Sequence, residues 1–169
     1  AAQNYFSAAQ HAWALFAAEP ALQSLTRALA LSPVSEPLLF AIYALHEEVL
    51  HHLGRRNEQE SVLNALLELA SKLSHSEQIT AAFRNGRYLF ARNRWQAAEE
   101  RLLDAQRLQI ENEELLSLQV TLLLGRAQAQ QQRYEDAIGT IQNVLSEAHR
   151  RRNRPGQIDS LIVLAEIEQ

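Results

Sequence analysis

The sequence predicts an all-α chain of antiparallel helix pairs stacked in register, and three observations carry that expectation. Residues that build turns and sheets are scarce, with five Gly and four Pro in 169 residues, whereas Ala, Leu, Glu, Gln and Arg abound. Apolar side chains recur at three- and four-residue spacing along nearly the whole chain, broken only by short gaps. A set of positions also returns after 39 residues: Gly86, Trp95, Ala98 and Leu102 recur as Gly125, Tyr134, Ala137 and Ile141. Seventy-eight residues before Leu145-Ser146-Glu147-Ala148 stands Leu67-Glu68-Leu69-Ala70, which carries the period back to the second pair. There Glu47 and Gln59 replace the expected small residues.

Apolar spacing and punctuation place nine helices at Ala2–Ala18, Pro20–Leu31, Glu36–Leu53, Glu58–Leu73, Glu77–Arg92, Trp95–Gln109, Glu113–Gln131, Tyr134–Arg152 and Pro155–Glu168. Pro20 and Pro155 suit a first helical turn, where the missing N–H leaves no bond unmade, and Pro33 follows a helix it cannot continue. Asn57 with Glu60 has the spacing of a capping box, Ser76 can cap the fifth helix, and Asn112 can cap the seventh ahead of Glu113 and Glu114. Gly54 suits a C-terminal cap. Short gaps make neighbouring helices antiparallel, and no linker long enough to separate two domains appears. A single domain over 1–169 is therefore expected, with approximate repeats 2–35, 36–75, 76–112, 113–153 and a partial 154–169. A small residue on one helix lets its partner approach, the Ala of the partner receives it, and the aromatic at the turn packs across both.

Composition narrows the function. The formal charge of -4 argues against a surface built to neutralise phosphates, so no direct nucleic-acid binding is expected. With no cysteine, thiolate chemistry and disulfides are excluded, and a cytoplasmic location follows as the default. No stretch approaches the roughly 20 apolar residues of a membrane span. The first residues, Ala1-Ala2-Gln3, have neither an initiator Met nor a signal-peptide pattern. At the other end Ile158, Leu161, Ile162, Leu164, Ala165 and Ile167 form an amphipathic helix that would want a following helix, or a second copy of the chain, to cover it. Both ends suggest a piece of a longer protein.

No constellation points to catalysis, a metal or a cofactor. His46-Glu47-Glu48-Val49-Leu50-His51-His52 invites comparison with His-Glu-x-x-His, which needs its histidines at i and i+4; here they stand five and six apart. Glu47 and His51 are correctly spaced but make only two ligands, and a solvated, partly packed helix end is the simpler reading. The run His149-Arg150-Arg151-Arg152-Asn153-Arg154 is the one dense basic cluster; it reads as a helix C-terminus stabilised by cations, with a phosphate or acidic contact as the alternative. Neighbouring carboxylates such as Glu99/Glu100 and Glu113/Glu114 diverge around the helix, do not face each other, and read as a solvated face.

The repeated residues resemble the tetratricopeptide repeat (TPR) family. Ala21, Leu25, Ala28 and Pro33 match the second-helix half of its pattern, and Gly86/Trp95/Ala98/Leu102/Ala105 and Gly125/Tyr134/Ala137/Ile141/Val144 match most of the longer stretch. The repeats exceed the usual length and are similar to those in the helical arrays of large bacterial signalling ATPases. The resemblance implies a right-handed superhelix of four pairs plus a terminal helix, non-catalytic, acting as a protein-interaction scaffold within a larger regulatory protein. The alternative it implies is an effector-sensing domain of a bacterial signalling ATPase or transcriptional regulator, with a peptide or small molecule in the groove.

In this family the first helix of each pair lines the concave groove. Carried over by position, the third pair contributes Thr80, Phe83, Arg84, Arg87 and Phe90, and the fourth Gln119, Leu122, Leu123, Arg126 and Gln130; the first offers Gln3, Phe6, Gln10 and Trp13. Such a strip would suit a protein or peptide segment with apolar anchors and acidic groups, because Arg binds carboxylates bidentately. The competing reading is that the apolar residues pack between helices and the arginines make local ion pairs. The Lys and Asn of the clamp used by chaperone-binding members are replaced by Phe, Leu and Arg, so that ligand is not implied.

Overall fold

The computed structural model describes residues 1–31, 34–108 and 114–167. Among them the only regular elements are nine helices: α1 (Ala2–Ala14), α2 (Ala18–Leu29), α3 (Glu36–Leu53), α4 (Arg56–Ala70), α5 (His75–Ala91), α6 (Trp95–Arg107), α7 (Glu114–Gln130), α8 (Tyr134–Arg150) and α9 (Arg154–Ile167). Pro33 and the Asn112 cap lie outside the described residues. The chain divides into two compact units, Ala1–Glu77 and Gln78–Gln169, each considered by itself.

The turns inside pairs explain why the helix ends differ from the sequence expectation. Phe16, Gly54, Asn93 and Gln132 all have positive φ, between 56° and 70° with Arg152 included. After each of the four, the next N–H reaches back five residues, as in Arg55 to the Leu50 carbonyl at 3.1 Å and Arg94 to Leu89 at 2.9 Å, closing a Schellman turn. The following helix then starts at once, from Ala17, Arg55, Arg94 and Arg133, none of which makes a side-chain cap bond. The preceding helix's C-terminus therefore sets the start of the next one. Between pairs, where no positive-φ residue precedes α5, the cap expected at Ser76 lies inside the helix and the Ser74 hydroxyl donates to Glu77 instead. The left-handed turn inside a pair corrects the cap expected at Asn57, which lies inside the first turn of α4. It also ends α1 four residues early, because the left-handed residue is Phe16.

Phe16 is the costly member of this series. It is bulky, 82% exposed and held at φ 57°, a conformation that disfavours any residue with a Cβ by about 1–2 kcal/mol. After the entropy glycine loses on folding, Phe16→Gly is expected to raise the stability of the N-terminal unit by about 0.5–1 kcal/mol. Urea unfolding followed through Trp13 in a Trp95→Phe background checks this; an unchanged or lower midpoint refutes it.

The N-terminal unit packs α1 on α2, α3 on α4, and α2 against α3. Its core joins Phe6, Ala9, Ala21, Leu25, Ile42 and Val49, and Trp13 sets its ring edge-on to His52 with centroids 5.2 Å apart. Phe6 is thus core, although the family pattern would turn it to the groove. Where the period calls for small residues, Glu47 and Gln59 are fully buried, and the Gln59 amide donates to Glu47 Oε1 at 2.6 Å. Arg56 Nη1 donates to Gln59 Oε1 at 2.7 Å and to the His51 carbonyl at 3.2 Å. The histidine-rich stretch is therefore not a solvated helix end at Glu47. A buried amide–carboxylate bond between α3 and α4 stands in for the glycine–alanine approach.

His46 adjoins this cluster, half-buried, with Nδ1 enclosed and lacking a hydrogen-bond partner. Burial holds its pKa below the ordinary value against the opposing pull of Glu58. The folded unit takes up this proton at lower pH than the unfolded chain does. Its contribution is accordingly complete above the unfolded-state value of about 6.5 and is lost as pH falls from there toward the folded-state value. Urea midpoints of the same unit should drop between about pH 7.5 and pH 5.5, and drop less in His46→Gln. Equal drops in both proteins would remove His46 as the cause.

In the C-terminal unit, Gly86 of α5 faces α6 and Gly125 of α7 faces α8. A Cβ on Gly86 would lie 2.8 Å from Leu102 Cγ, and one on Gly125 would lie 2.5 Å from Ile141 Cδ1. The nearest atoms of the alanines expected to receive the glycines are carbonyl oxygens, farther off at 3.5 Å for Ala98 and 3.6 Å for Ala137. The large apolar residue one turn later fills the space. The aromatics at the turns differ, since Trp95 is half-buried whereas Tyr134 is 51% exposed. Ile79, Ala82, Leu102, Ala105, Val120 and Leu124 form one core cluster; Leu118, Leu122, Ile141 and Val163 form another that reaches α9.

Two arginines at helix starts tie one pair to the preceding one. Arg55 reaches Glu19 at 2.6 Å within the N-terminal unit. Within the C-terminal unit Arg133 Nη1 donates to both oxygens of Glu99 at 2.8 Å, and Gln131 donates to the same carboxylate at 2.8 Å. Glu99 is thus buried between pairs, not part of a solvated face, while Glu100 is exposed.

Candidate binding groove

α5, α7 and α9, the first helices of successive pairs, line a cleft of about 380 Å³. α5 supplies Phe83 and Arg87, α7 supplies Gln119, Leu122, Leu123 and Arg126, and α9 supplies Asp159, Ile162 and Val163. Six of the residues carried over from the family pattern therefore meet in one place. A second cleft of about 220 Å³ lies between Phe90, Arg126, Ala129, Gln130, Glu166 and Ile167, which gathers two more. Arg84 lines neither.

The floor of the larger cleft belongs partly to the core. Leu122 is buried against Ile141 and Val163, and Phe83 and Leu123 pack against the cluster around Leu102. Ile162 is 49% exposed and supplies apolar surface that remains open. Leu161 and Ile158 on the same helix are exposed outside the cleft, whereas Val163 is fully buried, so the apolar face expected of α9 divides between core and solvent.

The arginines are not bare cations. The Arg87 guanidinium stands 5.9 Å from the Phe83 ring centroid, a cation–π distance. Arg126 makes a side-by-side pair with Glu166, Nε to Oε2 at 2.9 Å and Nη2 to Oε1 at 3.2 Å. Asp159 adds a second carboxylate to the cleft wall. Two cations and two anions thus frame the groove, which is less basic than the sequence strip suggested.

The α9 residues were missed by sequence reasoning. The period does point to one of them, since Ile162 stands 39 residues after Leu123. Asp159 and Glu166 follow Val120 and Ala127 by the same step and inherit no polar character from them. Of the basic run, two residues take structural positions. Arg150 and Arg151 both pair with Glu147, and hydrogen bonding to Arg150 holds the Glu147 carboxyl below the ordinary carboxylate range. Among the described residues no group of three or more His, Cys, Asp or Glu could hold a metal, and no helix is long and apolar enough to cross a membrane.

Two solved structures of a Podosopora anserina protein, described as a kinesin light chain with nearly identical TPR-like repeats, are similar to this chain. One, of a substituted form, superimposes with a TM-score of 0.81 over 98% of this chain and 84% of that one, at 18% identity. The fold is TPR-like. The second structure has a TM-score of 0.79 at the same identity and coverage. No family model and no curated protein matches the chain. In the TPR-like register, α5, α7 and α9 are all first helices, the ones that the family pattern turns to the concave side.

Proposed function

We propose that the chain is a non-catalytic protein-interaction scaffold, the recognition part of a larger protein, and that the α5/α7/α9 groove takes a segment of a partner protein. The observation that carries this reading is the cleft itself: an apolar floor with Ile162 open to solvent, rimmed by Arg87, Gln119, Arg126 and Asp159. An apolar concavity with a few convergent polar groups is the usual form of a recognition site, and the polar rim would fix the orientation of the segment.

Selection from a displayed peptide library tests the proposal. Enriched peptides should lose about tenfold or more in affinity for Ile162→Asp, because the burial of one aliphatic side chain is forfeited. They should bind Leu161→Asp, altered on the same helix outside the cleft, like the unaltered chain. Both substitutions are at exposed positions, and far-UV circular dichroism verifies their fold. Peptides that ignore Ile162→Asp would show that the groove is not the site.

A further inference from the structure

The Arg126–Glu166 pair crosses the groove from α7 to α9, and its position bears on what the partner must carry. Arg126 lines both clefts and Glu166 lines the smaller, so the pair forms a bar between them. On its α5 side each cleft carries a phenylalanine, Phe83 in one, with Arg87 over its ring, and Phe90 in the other, seven residues apart. α7 repeats that step from Leu122 to Ala129, with Arg126 four residues beyond Leu122. Seven helical residues span about 10 Å, so the two apolar seats lie about two turns apart with a guanidinium between them.

Resting on the groove reading above, we propose that Glu166 occupies the seat of a partner's carboxylate. The partner segment is an α-helix with apolar side chains seven residues apart and an Asp or Glu three or four residues after the first, which displaces Glu166 from Arg126. The spacing selects a helix. Same-face residues at i and i+7 of a helix are about 10 Å apart, whereas same-face residues of an extended chain fall at about 6.6 or 13 Å. Glu166 itself shows the chemistry, because a carboxylate already binds Arg126 through two nitrogens. The side chains of the pair are 38% and 50% exposed, so the bond is weakly held, and exchanging one carboxylate for another leaves Arg126 paired throughout. A segment without the acid would leave the bar in place.

Fluorescence polarisation with two labelled helical peptides on an Ala/Gln host tests this. Both carry leucines seven residues apart; one has Glu four residues after the first leucine and the other has Gln. The unaltered chain should bind the two peptides nearly alike, because the Glu peptide exchanges one exposed carboxylate for another. Glu166→Gln should tighten the Glu peptide by about threefold to fivefold, the range of an exposed ion pair, and leave the Gln peptide unchanged, while adding Arg126→Gln should abolish the preference so created. Equal effects of Glu166→Gln on both peptides, no effect on either, or failure of both peptides to bind any form would overturn the proposal. Peptides that lose binding to Ile162→Asp but are indifferent to Glu166 would leave the groove standing and remove only the role of Glu166. Peptides that bind Ile162→Asp as well as the unaltered chain would remove the groove itself.

Discussion

Gln59→Leu is expected to cost the N-terminal unit about 3 kcal/mol, because it strips a hydrogen bond from a buried carboxylate and another from Arg56, each worth about 1–3 kcal/mol when a charged group is involved. Gln59 is fully buried and makes both bonds at short range, 2.6 Å to Glu47 and 2.7 Å from Arg56. The double change Glu47→Leu with Gln59→Leu should recover a large part of that loss. Removing both partners leaves no stranded polar group, and such replacements are often close to neutral. Urea unfolding read through Trp13 gives all three midpoints. A double variant as unstable as the sum of the single ones would show that Glu47 and Gln59 do not act as a unit.

Gly125→Val should destabilise the C-terminal unit by about 2 kcal/mol, the middle of the range for forcing atoms into a packed core. A Cβ alone would lie 2.5 Å from Ile141 Cδ1 and 2.8 Å from its Cγ1, and valine adds two methyls to that site. Replacing glycine in a helix normally gains a few tenths of a kcal/mol for valine, so the sign of the result decides between propensity and packing. The decisive comparison is a double-mutant cycle with Ile141→Ala, which alone should cost about 2–5 kcal/mol by opening a cavity. If the close approach is real, the two changes together cost less than their sum, as read through Trp95 in a Trp13→Phe background. Strict additivity would mean that Gly125 and Ile141 do not meet.

Both predictions concern the same contact within a helix pair, since Glu47 and Gln59 stand 39 residues before Gly86 and Ala98, and they show how the fold could be read before the structure. Gly86 and Gly125 were legible because a glycine inside a strongly periodic helix is costly and so marks a close approach. What filled the space was not legible: alanine was the expected receiver, whereas Leu102 and Ile141 occupy it. Glu47 and Gln59 stood out as departures from the period, but their mutual hydrogen bond depends on two helices crossing at one point. Glu99 was misread for a similar reason. Adjacent glutamates look alike in sequence, and only the arrival of Arg133 from the next pair buries one of them. The candidate groove was partly legible through the family pattern, which named Phe83, Arg87, Leu122 and Arg126. It missed Asp159 and Glu166, since polar identity at those positions does not follow the repeat.

Helix number, order and approximate ends, and the 39-residue register, were determined by the sequence alone. They rest on local forces, namely apolar periodicity, proline placement and the cost of glycine, and these act within a few residues along the chain. The tertiary structure decided the rest. Left-handed turns at Phe16 and Gln132 have no residue signal and are imposed by the packing of the helices they join. Burial of Glu47 and Glu99, and the carboxylate seated on Arg126, arise between residues from 12 to 40 positions apart. A charged side chain reads as solvated until a second helix removes its water, and that second helix is what the sequence by itself does not place.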